Sequence, residues 1–164
     1  MKKLSILLFV FFMLTSFIYC QDYNKFKLGF GVGYAGGKGT GVNDTGGGVF
    51  LTFEPAYRLS DELAIGLRLE AAVYGEDSDG WPEGTSSITI NGQYYFSSEQ
   101  FRPFVGAGLG IYFPPEFSTF GFYPRIGFDF GHFTLALEYN FINSTSSAYY
   151  FGVRVGGFFF GSKK

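Results

Sequence analysis

The stretch 26–34, Phe-Lys-Leu-Gly-Phe-Gly-Val-Gly-Tyr, alternates strictly between large apolar residues and glycine or lysine. Because successive side chains of a β-strand point to opposite faces, this alternation predicts a strand with one apolar face and one face of small or polar residues. Seven further runs repeat the pattern, and most hold the roughly 9–11 residues that a tilted strand needs to cross a bilayer. The eight predicted strands are 25–35, 47–59, 62–74, 86–96, 101–113, 121–130, 133–142 and 148–160.

The composition also favours β structure. Phenylalanine and tyrosine contribute 23 and 12 of the 164 residues, and aromatic residues are typical of strands. The formal net charge is −2, and the first 20 residues hold two lysines and no acidic residue, so the rest of the chain carries −4. Nucleic-acid binding requires a basic surface, so we expect no nucleic-acid partner.

Residues 1–20 have the form of a secretory signal peptide. Two lysines precede an apolar run over 4–18, which is short for a membrane-spanning helix. We predict cleavage after Cys20, which leaves residues 21–164 as a single barrel domain. The alternative is a lipid attached to Cys20, the only cysteine in the chain. Cleavage after Cys20 would leave a mature chain without a disulfide or a cysteine nucleophile.

The connections between the predicted strands alternate in length. Outer-membrane barrels typically have short periplasmic turns and longer outer loops, and an even strand number returns both chain ends to the periplasmic side. The predicted short turns are 60–61, 97–100 and 131–132, and the predicted long loops are 36–46, 75–85, 114–120 and 143–147. The fold class predicted by this pattern is an all-β, eight-stranded, antiparallel up-and-down transmembrane barrel.

The second face of the strands indicates which side of the sheet is outside. In a secreted lipocalin-like barrel the apolar face points inward, and the solvent-exposed outer face is rich in Lys and Glu. Here the second face is mostly Gly, Ser, Thr and Asn, which suits the crowded interior of a narrow barrel. Its few charges have both signs, so most can pair inside the lumen, with water meeting the residual positive charge. The predicted lumen charge network is Lys27, Glu54, Arg58, Arg68, Glu70, Arg102, Arg125, Asp129, Glu138 and Arg154.

The motifs that resemble enzyme sites fail their structural context. The Gly29-x-Gly31-x-Gly33 pattern of a nucleotide-binding loop lies inside a predicted strand, and no helix follows it. His132, the only histidine, lies in a predicted turn on the periplasmic side, away from the outer rim where barrel enzymes hold their catalytic groups. We therefore expect a protein that is not an enzyme, with no catalytic residue, no metal and no cofactor.

Three segments carry a resemblance to a known family. Residues 102–110, Arg-Pro-Phe-Val-Gly-Ala-Gly-Leu-Gly, resemble a strand of the small outer-membrane β-barrels, which include the membrane domain of outer membrane protein A and the outer membrane proteins X and W. Residues 124–130 are similar to the sixth strand of that family, and 149–156 resemble its last strand. The resemblance implies a barrel in contact with outer-membrane lipid and inserted by the barrel insertion machinery. The chain departs from the family at its end. Barrels of that family often end on an aromatic residue, whereas here the last aromatic residue, Phe160, is followed by four more residues.

The sequence therefore predicts a protein of the cell outer membrane, in a Gram-negative-type envelope. An eight-stranded lumen is just wide enough for side chains to fill it, so we expect a structural or interaction role through the outer loops. Trp81 and Phe117 are the candidate outer-loop surface for an extracellular partner. One alternative, implied by the resemblance to outer membrane protein W, is a narrow, porin-like channel for small or apolar solutes. The second alternative is a secreted lipocalin-like ligand binder.

Overall fold

The computed structural model describes residues 23–38, 45–76, 82–97, 99–114, 118–143 and 148–161. They contain eight β-strands, which in chain order are β1 (Phe26–Lys38), β2 (Thr45–Arg58), β3 (Leu63–Glu76), β4 (Pro82–Tyr95), β5 (Phe101–Phe113), β6 (Thr119–Phe130), β7 (Phe133–Ile142) and β8 (Ala148–Phe160). Within these ranges, no helix is long and apolar enough to cross a membrane. The predicted signal peptide over 1–20, including Cys20, lies outside the described residues.

The eight strands form one closed antiparallel sheet. Each strand pairs with the next along the chain, and β8 pairs with β1, where Val32 lies opposite Val155. Closure leaves no edge strand whose N–H and C=O groups are free to pair with another chain. The predicted all-β, eight-stranded, up-and-down barrel is confirmed.

Several strands extend beyond their predicted bounds. β1 continues to Lys38 and β2 begins at Thr45, so that Gly36, predicted in the loop 36–46, pairs with Gly47, the predicted first residue of the second strand. β4 begins at Pro82, before the predicted start at residue 86. The residues added to these three strands are mostly glycine or polar and carry no apolar alternation, so the apolar pattern ends before the backbone pairing does.

The predicted strict alternation of long and short connections is wrong, because the longer strands shorten the loops. The connections at one end of the barrel are 39–44, 77–81, 114–118 and 143–147, with five or six residues each. Those at the other end are 59–62, 96–100 and 131–132, with four, five and two residues. We call the first end the loop end and the second the turn end. Residues 23–25 and Gly161, which flank β1 and β8, also lie at the turn end.

The closed sheet has an apolar outer face and a polar inner face. On the outside, Leu51 and Ile90 each keep 62% of their surface exposed. Their neighbours in sequence point inward, and Phe50, Thr52 and Asn91 are buried. A lipocalin-like binder requires the opposite arrangement, with the apolar face inside.

Candidate functional site

All ten residues of the predicted lumen charge network are buried inside the barrel. They form a middle cluster of Glu54, Arg68, Glu70, Arg125, Glu138 and Arg154, and a turn-end cluster of Lys27, Arg58, Arg102 and Asp129. Every member of the turn-end cluster lies within one residue of the turn-end terminus of its strand. The two predicted outer-loop residues, Trp81 and Phe117, lie outside the described residues.

Glu54 is the centre of one half of the middle cluster. Arg125 donates hydrogen bonds from Nη1 to Glu54 Oε2 at 2.9 Å and from Nη2 to Oε1 at 2.5 Å. Arg154 Nη1 donates to Glu54 Oε2 at 2.6 Å, and Arg125 Nη2 also donates to Asn91 Oδ1 at 2.9 Å. The planar arginine fork matches both carboxylate oxygens, which makes this pairing strong and directional. Because β2 and β6 are four strands apart, it joins opposite walls of the barrel.

Arg68 is the centre of the other half of the middle cluster. It donates to Glu138 from Nη1 to Oε2 at 2.9 Å and from Nη2 to Oε1 at 2.5 Å, again between opposite strands, β3 and β7. Arg68 also contacts Glu70, whose carboxylate accepts a hydrogen bond from the Tyr150 hydroxyl. With three arginines and three glutamates, the middle cluster is electrically neutral as a whole.

The turn-end cluster contains one carboxylate. Lys27 Nζ lies 2.5 Å from Asp129 Oδ2, and Asp129 also accepts hydrogen bonds from Tyr95 OH at 3.1 Å and Thr134 Oγ1 at 2.6 Å. One ammonium group and two hydroxyl donors therefore surround the Asp129 carboxylate.

Arg58 and Arg102 differ from the three arginines of the middle cluster. Each is only 2% exposed, and among the described residues neither forms an ion pair with a carboxylate. Arg102 donates to two backbone carbonyls, from Nε to Ser97 O at 3.1 Å and from Nη2 to Asp61 O. Within the ten-residue network, the two cations in excess of the carboxylates are therefore at the turn end.

Two tyrosine rings hold these arginines. The Tyr23 ring centre lies 3.8 Å from Arg102 Cζ and 4.7 Å from Arg58 Cζ, and the corresponding distances from the Tyr95 ring are 4.1 and 5.2 Å. Tyr23, which precedes β1, is anchored by its hydroxyl, which donates to Glu99 O at 2.7 Å. The segment before the first strand thus places an aromatic ring in the mouth of the barrel.

Large aromatic side chains fill much of the remaining interior, and the sequence-based prediction missed them. Except for Tyr95, whose strand β4 carries no residue of the charge network, each lies an even number of residues from a charged lumen residue on its strand; Tyr123, for example, is two residues before Arg125. Inward-facing glycines make room for the rings, because a Cβ atom on Gly108 would lie 2.5 Å from the Tyr123 ring. The signal was the strand position, which places an aromatic residue on the same face as the charges. The fully buried rings are Phe50, Tyr95, Phe104, Tyr112, Tyr123 and Tyr150.

Cavities in the described part of the barrel include one between the two clusters and one at the turn end. The first, between the two clusters, has a volume of about 20 Å³ and is lined by Lys27, Glu54 and Arg154, which leaves room for about one water molecule. The second, at the turn end, has a volume of about 440 Å³. Its wall includes Arg58 and Arg102, and we call it the mouth cavity.

The geometry of the lumen favours electrostatic cross-linking over acid–base chemistry. Every carboxylate of the network contacts a cationic side chain, so none is free to act as a general base in this arrangement. His132 lies at the turn end, and its Nδ1 is 2.9 Å from the carbonyl oxygen of Phe158.

Comparison with solved structures identifies the architecture. The chain is similar to the Neisserial surface protein A, NspA, with a TM-score of 0.66 and 16% identity over 85% of this chain and 97% of that one. The chain has the fold of the small eight-stranded outer-membrane barrels. The attachment invasion locus protein Ail of Yersinia pestis is also similar, with a TM-score of 0.51 and 12% identity over 83% of this chain and 98% of Ail. The resemblance stated from the sequence is thus confirmed for the fold. No protein-family model matches the chain, and no curated protein matches it in sequence.

Proposed function

We propose that the protein is a non-enzymatic β-barrel of the outer membrane, with a lumen filled by side chains and a structural or interaction role through its loop end. The observation that carries the proposal is the apolar outer face of the closed sheet. Each Å² of apolar surface removed from water contributes about 25 cal/mol. A barrel with this outer face is therefore more stable in the hydrocarbon core of a membrane than in water. A soluble protein rarely exposes so continuous an apolar surface.

Aromatic pairs on the outer face support a membrane position. Outer-membrane barrels carry belts of aromatic residues at both membrane interfaces. The barrel has such pairs near each end. They are Phe122–Phe141 and Tyr139–Tyr149 near the loop end, and Phe26–Phe160 and Phe101–Phe128 near the turn end.

Fractionation tests the membrane assignment. The mature protein should be recovered with the outer membrane, and its gel mobility in detergent should change on boiling as the closed sheet unfolds. Recovery in the soluble fraction without detergent would contradict both the proposed side-chain-filled membrane barrel and the channel alternative.

The two bidentate pairs across the lumen support a non-conducting barrel. Glu54–Arg125 and Arg68–Glu138 each bridge opposite strands, and the buried Tyr123 ring lies 4.5 Å from Arg68 Cζ and 5.8 Å from Arg125 Cζ. We therefore expect no steady conductance from the purified protein in a planar lipid bilayer. Discrete, reproducible conductance steps would favour the channel alternative instead.

The orientation that we propose places the loop end outside the cell. A cysteine replacing Asp79, in the connection 77–81, should react with a membrane-impermeant maleimide on intact cells. A cysteine replacing Gln100, at the turn end, should react only after the outer membrane is made permeable. The opposite labelling pattern would reverse the proposed orientation and remove Trp81 and Phe117 as candidates for an outward-facing surface.

A further inference from the structure

The closed sheet is interrupted at two places away from its ends. Between β2 and β3 the ladder omits Glu54 and Pro55 and continues in the same register on either side. Between β6 and β7 it omits Tyr123 and Pro124, again without a change of register. In the described residues, the other six pairs of neighbouring strands are continuous at this level of the barrel. We call the two interrupted joints the proline seams.

The first seam arises because proline has no N–H to donate. In β2, the Arg58 N–H donates toward β1, to Lys25 O at 2.7 Å, and successive residues of a strand point their backbone groups to opposite neighbours. Residue 55 is an odd number of positions away, so its nitrogen points toward β3, where the register of the flanking pairs places Leu67. Pro55 therefore removes the ladder hydrogen bond to the Leu67 carbonyl.

The second seam repeats this geometry on the opposite side of the barrel. Phe120 O accepts the Asn143 N–H at 2.9 Å across the joint between β6 and β7, so residue 124, four positions on, also points toward β7. The register of the flanking pairs places it opposite Tyr139. Pro124 therefore removes the ladder hydrogen bond to the Tyr139 carbonyl. The two seams lie four strands apart in an eight-stranded barrel and so face each other.

Each proline is next to a charged residue that points into the lumen. By register, Glu54 lies opposite Arg68 across the first seam, and Arg125 lies opposite Glu138 across the second. We call these four residues the charge quartet. Its two bidentate pairs, Glu54–Arg125 and Arg68–Glu138, each take one partner from each seam. The two sides of one seam are therefore bonded, across the lumen, to the two sides of the other.

We propose that the charge quartet holds both proline seams closed and couples their local opening. A sheet opens most readily where a ladder hydrogen bond is missing. Opening either seam moves its two quartet members apart, and the cross-lumen pairs transmit that movement to the other seam. All four members are buried, so breaking a pair leaves desolvated charges and makes opening costly while the quartet is intact. The barrel wall thus has two opposed weak joints that one cluster of side chains controls.

Amide hydrogen exchange, read by NMR on the mature chain refolded in detergent micelles, tests the proposal. The N–H groups of Leu67 and Tyr139 report on the two seams. The reference is the N–H of Ile90, which lies opposite Leu67 on β4 and points into the continuous ladder with β5. Each rate is corrected for the intrinsic rate of its amide and divided by that of Ile90, so that a uniform change in stability cancels. In the wild type, both reporters should exchange at least about tenfold faster than Ile90.

Pro55→Ala restores the missing donor and does not weaken the barrel. It should slow exchange at Leu67 by about threefold to tenfold, which corresponds to one net hydrogen bond. Because the quartet couples the seams, exchange at Tyr139 on the opposite wall should also become slower. Pro103→Ala is the matched control, since Pro103 lies near the start of β5 and outside both seams, and it should leave both ratios unchanged.

Glu54→Gln tests the quartet from the other direction. It removes one cross-lumen pair and should speed exchange at least about tenfold at both Leu67 and Tyr139, because hydrogen bonds between charged groups are among the strongest in proteins. Glu70→Gln is the control within the same cluster. Glu70 pairs with Arg68 on its own strand, so its loss should leave the Tyr139 ratio unchanged. If Glu54→Gln does not refold, the comparison of Pro55→Ala with Pro103→Ala decides the question.

Three results would overturn the proposal. They are wild-type exchange at Leu67 and Tyr139 no faster than at Ile90, an effect of Pro55→Ala that is confined to Leu67, and equal Tyr139 ratios in Glu54→Gln and Glu70→Gln. None of these results bears on the membrane location, because the experiment is done in micelles.

Discussion

Glu54 on β2 and Arg125 on β6 join opposite walls of the barrel through two hydrogen bonds of 2.9 and 2.5 Å. Glu138 and Arg68 do the same between β7 and β3. In an eight-stranded barrel, strands that are four apart face each other across the lumen. These two pairs therefore cross the interior and contribute both to closing it and to holding the sheet in its circular shape.

Replacing Glu54 by glutamine should destabilise the barrel strongly. The change leaves two buried arginines, Arg125 and Arg154, without their carboxylate. Removing one partner of a buried ion pair typically costs about 3–5 kcal/mol, because the remaining charge stays desolvated. Urea unfolding of the refolded protein in lipid vesicles measures the loss.

Glu62→Gln is the matched control for this prediction. Glu62 is exposed in the connection 59–62, where its side chain contacts the Ser60 hydroxyl at 2.9 Å. Exposed charges contribute little, so the change should cost less than about 1 kcal/mol. Equal losses for Glu54→Gln and Glu62→Gln would mean that the lumen pairs do not stabilise the barrel.

Replacing Leu67 by arginine tests the lipid-facing surface. Leu67 lies on the outer face of β3 opposite Ile90 and is 42% exposed. A charge on the lipid face costs about 2–4 kcal/mol at the bilayer midplane and about 0–1 kcal/mol near the interfaces. Phe96→Arg, at the turn end, should therefore cost less than Leu67→Arg when both are unfolded from lipid vesicles. An unchanged unfolding free energy for Leu67→Arg would remove this residue from the lipid face.

The outer face of the barrel was predictable because it depends on one local rule. In β1, the alternation from Phe26 to Tyr34 assigns each side chain to a face, and the structure places Phe30 outside and Lys27 inside as expected. The same rule placed all ten lumen charges on one face. The strand ends were less predictable, since segments such as Gly36-Gly37 pair through the backbone and leave no mark in the apolar pattern.

The pairing inside the lumen was not predictable from the sequence. Glu54 and Arg125 are 71 residues apart, and their contact depends on the stagger of every strand between them. The inward aromatic rings were hidden for another reason: phenylalanine and tyrosine occupy both faces, so residue type alone does not separate Phe50 inside from Phe53 on the outer face. Phe50 is distinguished only by lying four residues before the charged residue Glu54, an even spacing that places both side chains on the inner face.

The glycine at position 108 should be required for the packing of Tyr123. A Cβ atom at Gly108 would lie 2.5 Å from atoms of the Tyr123 ring, which is buried and stacks on Arg68 at 4.5 Å. Such overpacking typically costs about 1–3 kcal/mol, so Gly108→Ala should lower the free energy of unfolding by that amount. At Gly92, on the neighbouring strand β4, the nearest atom to an added Cβ is 4.0 Å away, and Gly92→Ala should have little effect on the free energy of unfolding. Equal effects of the two changes would show that Gly108 is not needed to leave room for the Tyr123 ring.

Gly131 should be required for a different reason, the backbone conformation of the two-residue turn between β6 and β7. Its φ is +59°, and a Cβ atom added there would meet nothing within 4 Å. The penalty for Gly131→Ala is therefore conformational, about 1–2 kcal/mol, because a side chain disfavours the left-handed region. Asparagine tolerates that region, so Gly131→Asn should lose less stability than Gly131→Ala in urea unfolding. If alanine and asparagine destabilise the barrel equally, the left-handed conformation of this turn does not control its stability.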